Sequence, residues 1–125
     1  MPTLSEPRTG EVWDAQLSPT IGAEQAGVRP VLIISNEWFN RAENYLHMIV
    51  PITGTDRGLV YQHRIAGREG GLSKHSVVMC EQVRSVSPRR FVQKRGNVSE
   101  FTLAEVRRLV TLCIENNPVY QQGQS

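Results

Sequence analysis

Apolar and polar positions change rhythm several times along the chain, and each change predicts an element. In "GEVWDAQL", residues 10–17, Val12, Asp14 and Gln16 alternate with Trp13, Ala15 and Leu17. That period of two predicts a first strand. "SPTIGAEQAG", residues 18–27, carries Pro19, Gly22 and Gly27 with few large apolar residues and reads as a long loop. "RPVLIIS" is apolar without a break from Pro30 to Ile34, with β-branched Val31, Ile33 and Ile34. It predicts a central, buried strand with Pro30 at its first residue, where a missing N–H is tolerated. Asn36 is placed to cap one helical turn carrying Trp38 and Phe39. "YLHMIVPIT" predicts a third strand and "LVYQHRIAG" a fourth with a half-exposed face. "HSVVMCEQVRSV" predicts one strand or two with a bend near Glu81, Ser87–Pro88 a capped short turn, and "FVQKRGNV" a last strand.

The rhythm then becomes helical. Thr102 and Glu105 have capping-box spacing, with Phe101 and Val106 placed as a hydrophobic staple. Val106, Leu109, Val110 and Cys113 share one face of a helix predicted over residues 103–116, which Pro118 stops. Leu103, Leu112 and Ile114 widen the apolar coverage, toward this subunit or a second one. Strands in succession with one closing helix predict a mainly β fold with some α: a small barrel of curved antiparallel sheet with a C-terminal helix. Residues 1–9 read as a flexible lead-in, 10–116 as a single domain and 117–125 as a flexible tail.

Composition narrows the function classes only slightly. The 125 residues are 39% hydrophobic, and 14 Lys and Arg against 12 Asp and Glu leave a formal charge of +2. That balance permits nucleic-acid binding without requiring it. Cys80 and Cys113 sit in apolar runs without a second cysteine at ligand spacing, so buried free thiols in a reducing compartment are expected rather than a zinc site. No signal-peptide pattern and no run long enough to span a bilayer is present, and a cytoplasmic protein away from membranes is the expectation.

Candidate chemistry is sparse. There is no GxxxxGK, GxGxxG or HExxH, and His47, His63 and His75 lack metal-site spacing. No cofactor and no metal are called for. Arg29 stands at the lip of a Pro-headed strand, either anchoring the loop beside Glu24 or presenting a permanently charged fork that matches phosphate geometry. Thr53 ends the third strand, as a turn former or as a hydroxyl near a phosphodiester. An RNA substrate carries its own nucleophile, the 2′-hydroxyl, so such a pair needs no protein nucleophile. Arg84, Arg89, Arg90, Lys94 and Arg95 form a solvated face or a set of phosphate contacts. Trp13, Trp38, Phe39 and Tyr61 are candidate base-stacking groups, Trp13 reading rather as core or dimer surface.

The stretch "RTGEVWDAQLSPTIGAEQAGVRPVLIISN", with "MIVPIT" at 48–53 and "SVVMCEQVRSV" at 76–86, resembles the MazF/PemK family of bacterial toxin–antitoxin ribonucleases. The resemblance covers most of residues 9–116. It implies an SH3-like barrel with a closing helix, a homodimer, metal-free sequence-selective cleavage of single-stranded RNA to 2′,3′-cyclic phosphate and 5′-hydroxyl ends, and a cognate antitoxin whose disordered tail covers the active face. Carried over by motif, the catalytic residues are Arg29 in "GVRP" and Thr53 in "PIT". The substrate-binding residues are Glu24 and Gln25 in the loop, with Gln82 and Arg84 for RNA positioning or barrel support. Where many relatives have a P-T-H-V strand this chain has "VYQHRI", which offers Gln62 or His63 at the histidine's place and bears on sequence preference. Two other classes stay in play: a non-catalytic toxin of this fold directed at DNA gyrase, and an RNA-binding module without activity.

Overall fold

Seven antiparallel strands and two helices are seen in the computed structural model, which describes residues 6–18, 27–43 and 45–115. They are β1 (Glu11–Gln16), β2 (Val28–Ile33), α1 (Glu37–Asn40), β3 (His47–Thr53), β4 (Gln62–Ile65), β5 (Ser76–Met79), β6 (Arg84–Val86), β7 (Phe91–Asn97) and α2 (Glu100–Ile114). Short 3₁₀ turns at Glu69–Gly71, Cys80–Gln82 and Pro88–Arg90 join them. The strand order is β4-β5-β3-β2-β1-β7, with β6 also on β3.

Two prolines set where the ladders stop. β2 begins at Val28, so Pro30 is its third residue, opposite Asp14, and not its first. Ile34 N–H donates to Met48 O at 2.9 Å. The alternation of an antiparallel pair then calls on residues 32/50 and 30/52 for the next bonds. Pro30 has no N–H to give Ile52, and the β2–β3 register ends at Val31↔Pro51. By the same alternation the nitrogen of buried Pro51 points away from β2. There β3 changes partner, from β6 at His47–Ile49 to β5 at Ile52 and Thr53. The Cys80–Gln82 turn is the bend expected near Glu81.

The side chains divide between two faces. One face, including Val12, Leu32, Val50, Ile52, Val78 and Cys80, packs under Val106, Leu109 and Val110 of α2. The other holds Trp13, Ala15, Leu17, Val31, Ile33, Ile49 and Val86, with Phe91 edge-on to Trp13 at 5.7 Å. Trp13 is core: its indole N–H donates to buried Glu11 Oε1 at 2.8 Å, and Lys94 Nζ lies 3.0 Å from Glu11 Oε2.

The expected barrel is a sheet that curls without closing. No pairing joins its end strands β4 and β7 among the described residues. The Glu69–Gly71 turn, which follows β4, packs against β7 instead. Gly71 has φ +73°, and a Cβ there would lie 1.9 Å from the Arg95 carbonyl oxygen. A Cβ on Gly96 would lie 2.8 Å from the Gly70 carbonyl carbon, so backbone meets backbone across the gap.

The cap of helix α2 lies three residues before the expected one. Ser99 is the N-cap, its Oγ accepting from Thr102 N–H at 3.1 Å. Thr102 is a buried first-turn residue, Glu105 pairs outward with Arg108, and Phe101 is 70% exposed, so the predicted box and staple do not form. Val98 and Leu103, flanking Ser99 at staple spacing, both pack on the core instead. The described helix ends at Ile114. Cys80 is buried as expected, and burial, then Cys113 and Glu81, push its thiol up to about 12. Cys113 is exposed, contrary to expectation, because it falls beyond the stripe that meets the sheet.

Candidate active site

Register decides what Arg29 and Thr53 can do together. The β2–β3 pairing Ile33↔Ile49, Leu32↔Val50, Val31↔Pro51, continued by two residues, sets Arg29 opposite Thr53 at the same end of the strands. Opposed residues of an antiparallel pair point to one face, so both belong to the face of Val31 and Pro51. The β2–β3 register ends one pair before Pro30 and Ile52, and Pro30 has no N–H to extend it. Arg29 is half-buried, and its Nε is buried without a hydrogen-bond partner among the described residues. Thr53 is half-buried, pairs on its other side with Val77, and its Oγ1 accepts from Thr55 N–H at 3.2 Å. A cation with an unused buried donor, on the same sheet face as a strand-end hydroxyl, is suited to an anionic group such as a phosphodiester.

The other expected residues divide. Glu24 and Gln25 lie outside the described residues. Arg84 is opposite Ile49 on the Arg29 face, and its Nη1 donates to Leu17 O at 3.4 Å. Gln82 is half-buried in the turn between β5 and β6. The basic run is no free phosphate surface. Arg90 Nη1 donates to Gln16 O at 3.0 Å and to Ser18 O, Lys94 pairs with Glu11, and Arg95 reaches Asp14 at 3.4 Å and Gly71 O at 3.3 Å. These cations secure β1 and its exit. Arg89 is exposed and has no side-chain acceptor among the described residues.

Trp38, 81% exposed, and Phe39 follow the far end of β2. They stand nine and ten positions after Arg29, and the four steps from Arg29 to the end of β2 at Ile33 already span about 3.4 Å each, too far to stack on a base at that residue. Gln62 pairs with Met79 and is buried, its Nε2 donating to Glu81 at 3.0 Å, while His63 pairs with Val78 and lies on the α2 side with Ile65. No group of three or more His, Cys, Asp or Glu that could hold a metal ion occurs among the described residues. Sequence reasoning missed one feature: the Asp56–Arg64 pair, Nη2 to Oδ1 at 3.1 Å, in the groove that follows Thr53. Its eight-residue spacing across a loop carries no local signal.

Comparison with known proteins follows the same lines. Residues 8–114 match the PemK-like, MazF-like toxins of type II toxin–antitoxin systems. The chain belongs to that family. It is 32% identical over 111 residues to the endoribonuclease MazF of Staphylococcus epidermidis, covering 88% of this chain and 92% of that one. The crystal structure of MazF from Deinococcus radiodurans superposes with a TM-score of 0.76 at 27% identity, over 86% of this chain and 96% of that one. A MazE–MazF complex from the same organism matches with a TM-score of 0.69 at 25% identity, over 86% and 95%. These MazF structures share the curved antiparallel sheet with its C-terminal helix. No helix among the described residues of this MazF-like chain is long and apolar enough to cross a membrane.

Proposed function

We propose that this chain is the toxin of a type II toxin–antitoxin system, an endoribonuclease that cleaves single-stranded RNA with Arg29 and Thr53 as its catalytic pair. The pair is supported by the β2–β3 register, which, continued two residues past Val31↔Pro51, would bring Arg29 opposite Thr53. The substrate's 2′-hydroxyl attacks the adjacent phosphorus. A P–O2′ bond forms, the P–O5′ bond breaks, the 2′ proton is lost and the 5′ oxygen gains one. The products are a 2′,3′-cyclic phosphate and a 5′-hydroxyl. A guanidinium is a permanent cation and a poor proton donor, so the part of Arg29 is to stabilise the charge that builds on the non-bridging oxygens. The Thr53 hydroxyl orients the phosphate or the attacking oxygen. Glu24, Gln25, Gln82 and Arg84 line or support the substrate path, with Arg84 acting through the Leu17 carbonyl.

The reaction is taken to run without metal in the cytoplasm. A homodimer is in keeping with the exposure of Phe101 and Ile114 on α2. A cognate antitoxin of the MazE kind is the expected protein partner. A toxin directed at DNA gyrase would need no such pair, and no observation favours that reading. The test is a cleavage time course on a long mixed-sequence RNA in EDTA, with Arg29→Ala in parallel and the product ends mapped. Discrete cuts ending in cyclic phosphate, abolished in R29A, are expected. Parental cutting by R29A would overturn the assignment of Arg29.

A further inference from the structure

The row that holds Arg29 and Thr53 continues. Thr53 pairs with Val77, and Val77 pairs with Arg64, so these side chains share the Arg29 face along one line across β3, β5 and β4. Two interstrand steps put Arg64 about 10 Å from Thr53. A groove lies beside that row, lined by Gly54, which follows Thr53, and by Asp56, Arg64, His75, Ser76 and Val77.

Arg64 is exposed, but its fork is set: Nε and Nη2 both bind the Asp56 carboxylate, and Gly58 N–H donates to Asp56 Oδ1 at 2.7 Å. The hydrogen bonds from Arg64 and Gly58 hold that carboxyl below its ordinary range, so the pair persists at neutral pH. Two consequences follow. The pair carries no net charge, which disfavours a role as a phosphate anchor. The guanidinium edge left over, Nη1 with the outer Nη2 hydrogen, presents parallel donors in a fixed plane. His75 adds to the donor side, because its Nδ1 accepts from Gly67 N–H at 3.2 Å and leaves the proton on Nε2. A donor-lined groove one nucleotide from the reacting phosphate selects an acceptor-rich base edge.

We infer that Arg64, braced by Asp56, is a specificity-determining residue that reads the base next to the cut, and that this base offers two adjacent acceptors, as guanine does with N7 and O6. The inference rests on the endoribonuclease reading above and adds the base class to it.

The test is cleavage of a random-sequence RNA pool by the full chain and by Arg64→Ala and Arg64→Lys, with cut sites sequenced. Affinity for an uncleavable 2′-deoxy analogue is measured against salt alongside. Expected is a guanine preference at one position flanking the parental cut. It should fall by about 5- to 150-fold in both variants while cutting continues, the worth of one bidentate base contact. The lysine variant matters because it keeps the charge and loses the fork. The salt slope should stay at the parental value. A parental word without guanine beside the cut, or one that R64A retains, overturns the inference. A uniform loss over all sequences with a slope smaller by about 0.7 makes Arg64 a phosphate contact and overturns it too. A parent that cuts no RNA overturns the endoribonuclease reading and this inference together, an outcome distinct from the others. Arg64 is exposed, so both variants should fold, as circular dichroism would verify.

Discussion

Replacing Arg29 by methionine should move stability and activity in opposite directions. The Nε of Arg29 is buried with no partner among the described residues. An unsatisfied buried donor costs about 1–3 kcal/mol. Methionine keeps most of the aliphatic stem, so packing losses should be well under about 1.5 kcal/mol. The net expectation is a gain of about 1 kcal/mol, or roughly 3–6 °C in Tm for a chain of this size. The same donor is what the reacting phosphate would use. Loss of one preorganised donor to a developing charge costs about 10²–10³ in kcat. Arg29→Met should therefore melt higher and cut on the order of 100-fold slower or worse. Calorimetry on parent and variant, with initial rates on one defined RNA, reads both. A variant that melts lower by about 1 kcal/mol or more would show that Nε is satisfied in solution, and parental rates would remove Arg29 from the chemistry.

Other substitutions test the frame. Gly71→Ala has to adopt φ +73° with its Cβ 1.9 Å from a backbone oxygen, and should lose on the order of 3 kcal/mol or more in urea unfolding. Ser99→Ala should cost about 1 kcal/mol as loss of an N-cap, whereas Glu105→Gln should stay within about 0.5 kcal/mol because Glu105 closes no capping box. Glu69 is raised by burial, but hydrogen bonds from Ser99 N–H, at 3.0 Å, and the Thr102 hydroxyl outweigh that and lower it below 4.5. Its contribution is present above its unfolded value and is lost as pH falls through the lower folded one. Glu69→Gln should accordingly flatten the fall of Tm between about pH 5 and pH 3.

Most strand positions were legible because β1, β2, β3 and β5 bury alternating or continuous apolar runs, and Asn36 and Ser87 cap their turns as read. The start of α2 was ambiguous for a physical reason. Ser99 and Thr102 both sit at cap spacing, and only tertiary packing, with Val98 and Leu103 reaching the core, selects Ser99. The basic run looked like a phosphate surface because sequence shows charge but not acceptors. The carbonyls of Gln16, Ser18 and Gly71 come from elements far away in the chain. Arg29 and Thr53 were singled out through a family resemblance, and the register that bears on their relative position is one that no local pattern states.

Pro30 has a consequence for how such a site survives. The β2–β3 register stops at Val31↔Pro51, where Pro30 has no N–H to offer Ile52. Almost any other residue at position 30 would supply that N–H, and the expected outcome is a pairing that runs on toward Arg29 and Thr53 and a higher melting temperature. A screen that rewarded yield or melting temperature would thus favour loss of the proline. Only a screen for RNA cutting would retain it. Variants of this toxin recovered from cells that must tolerate it should be sought at position 30 as well as at the charged residues, and among them should be proteins that are sturdier than the parent and harmless.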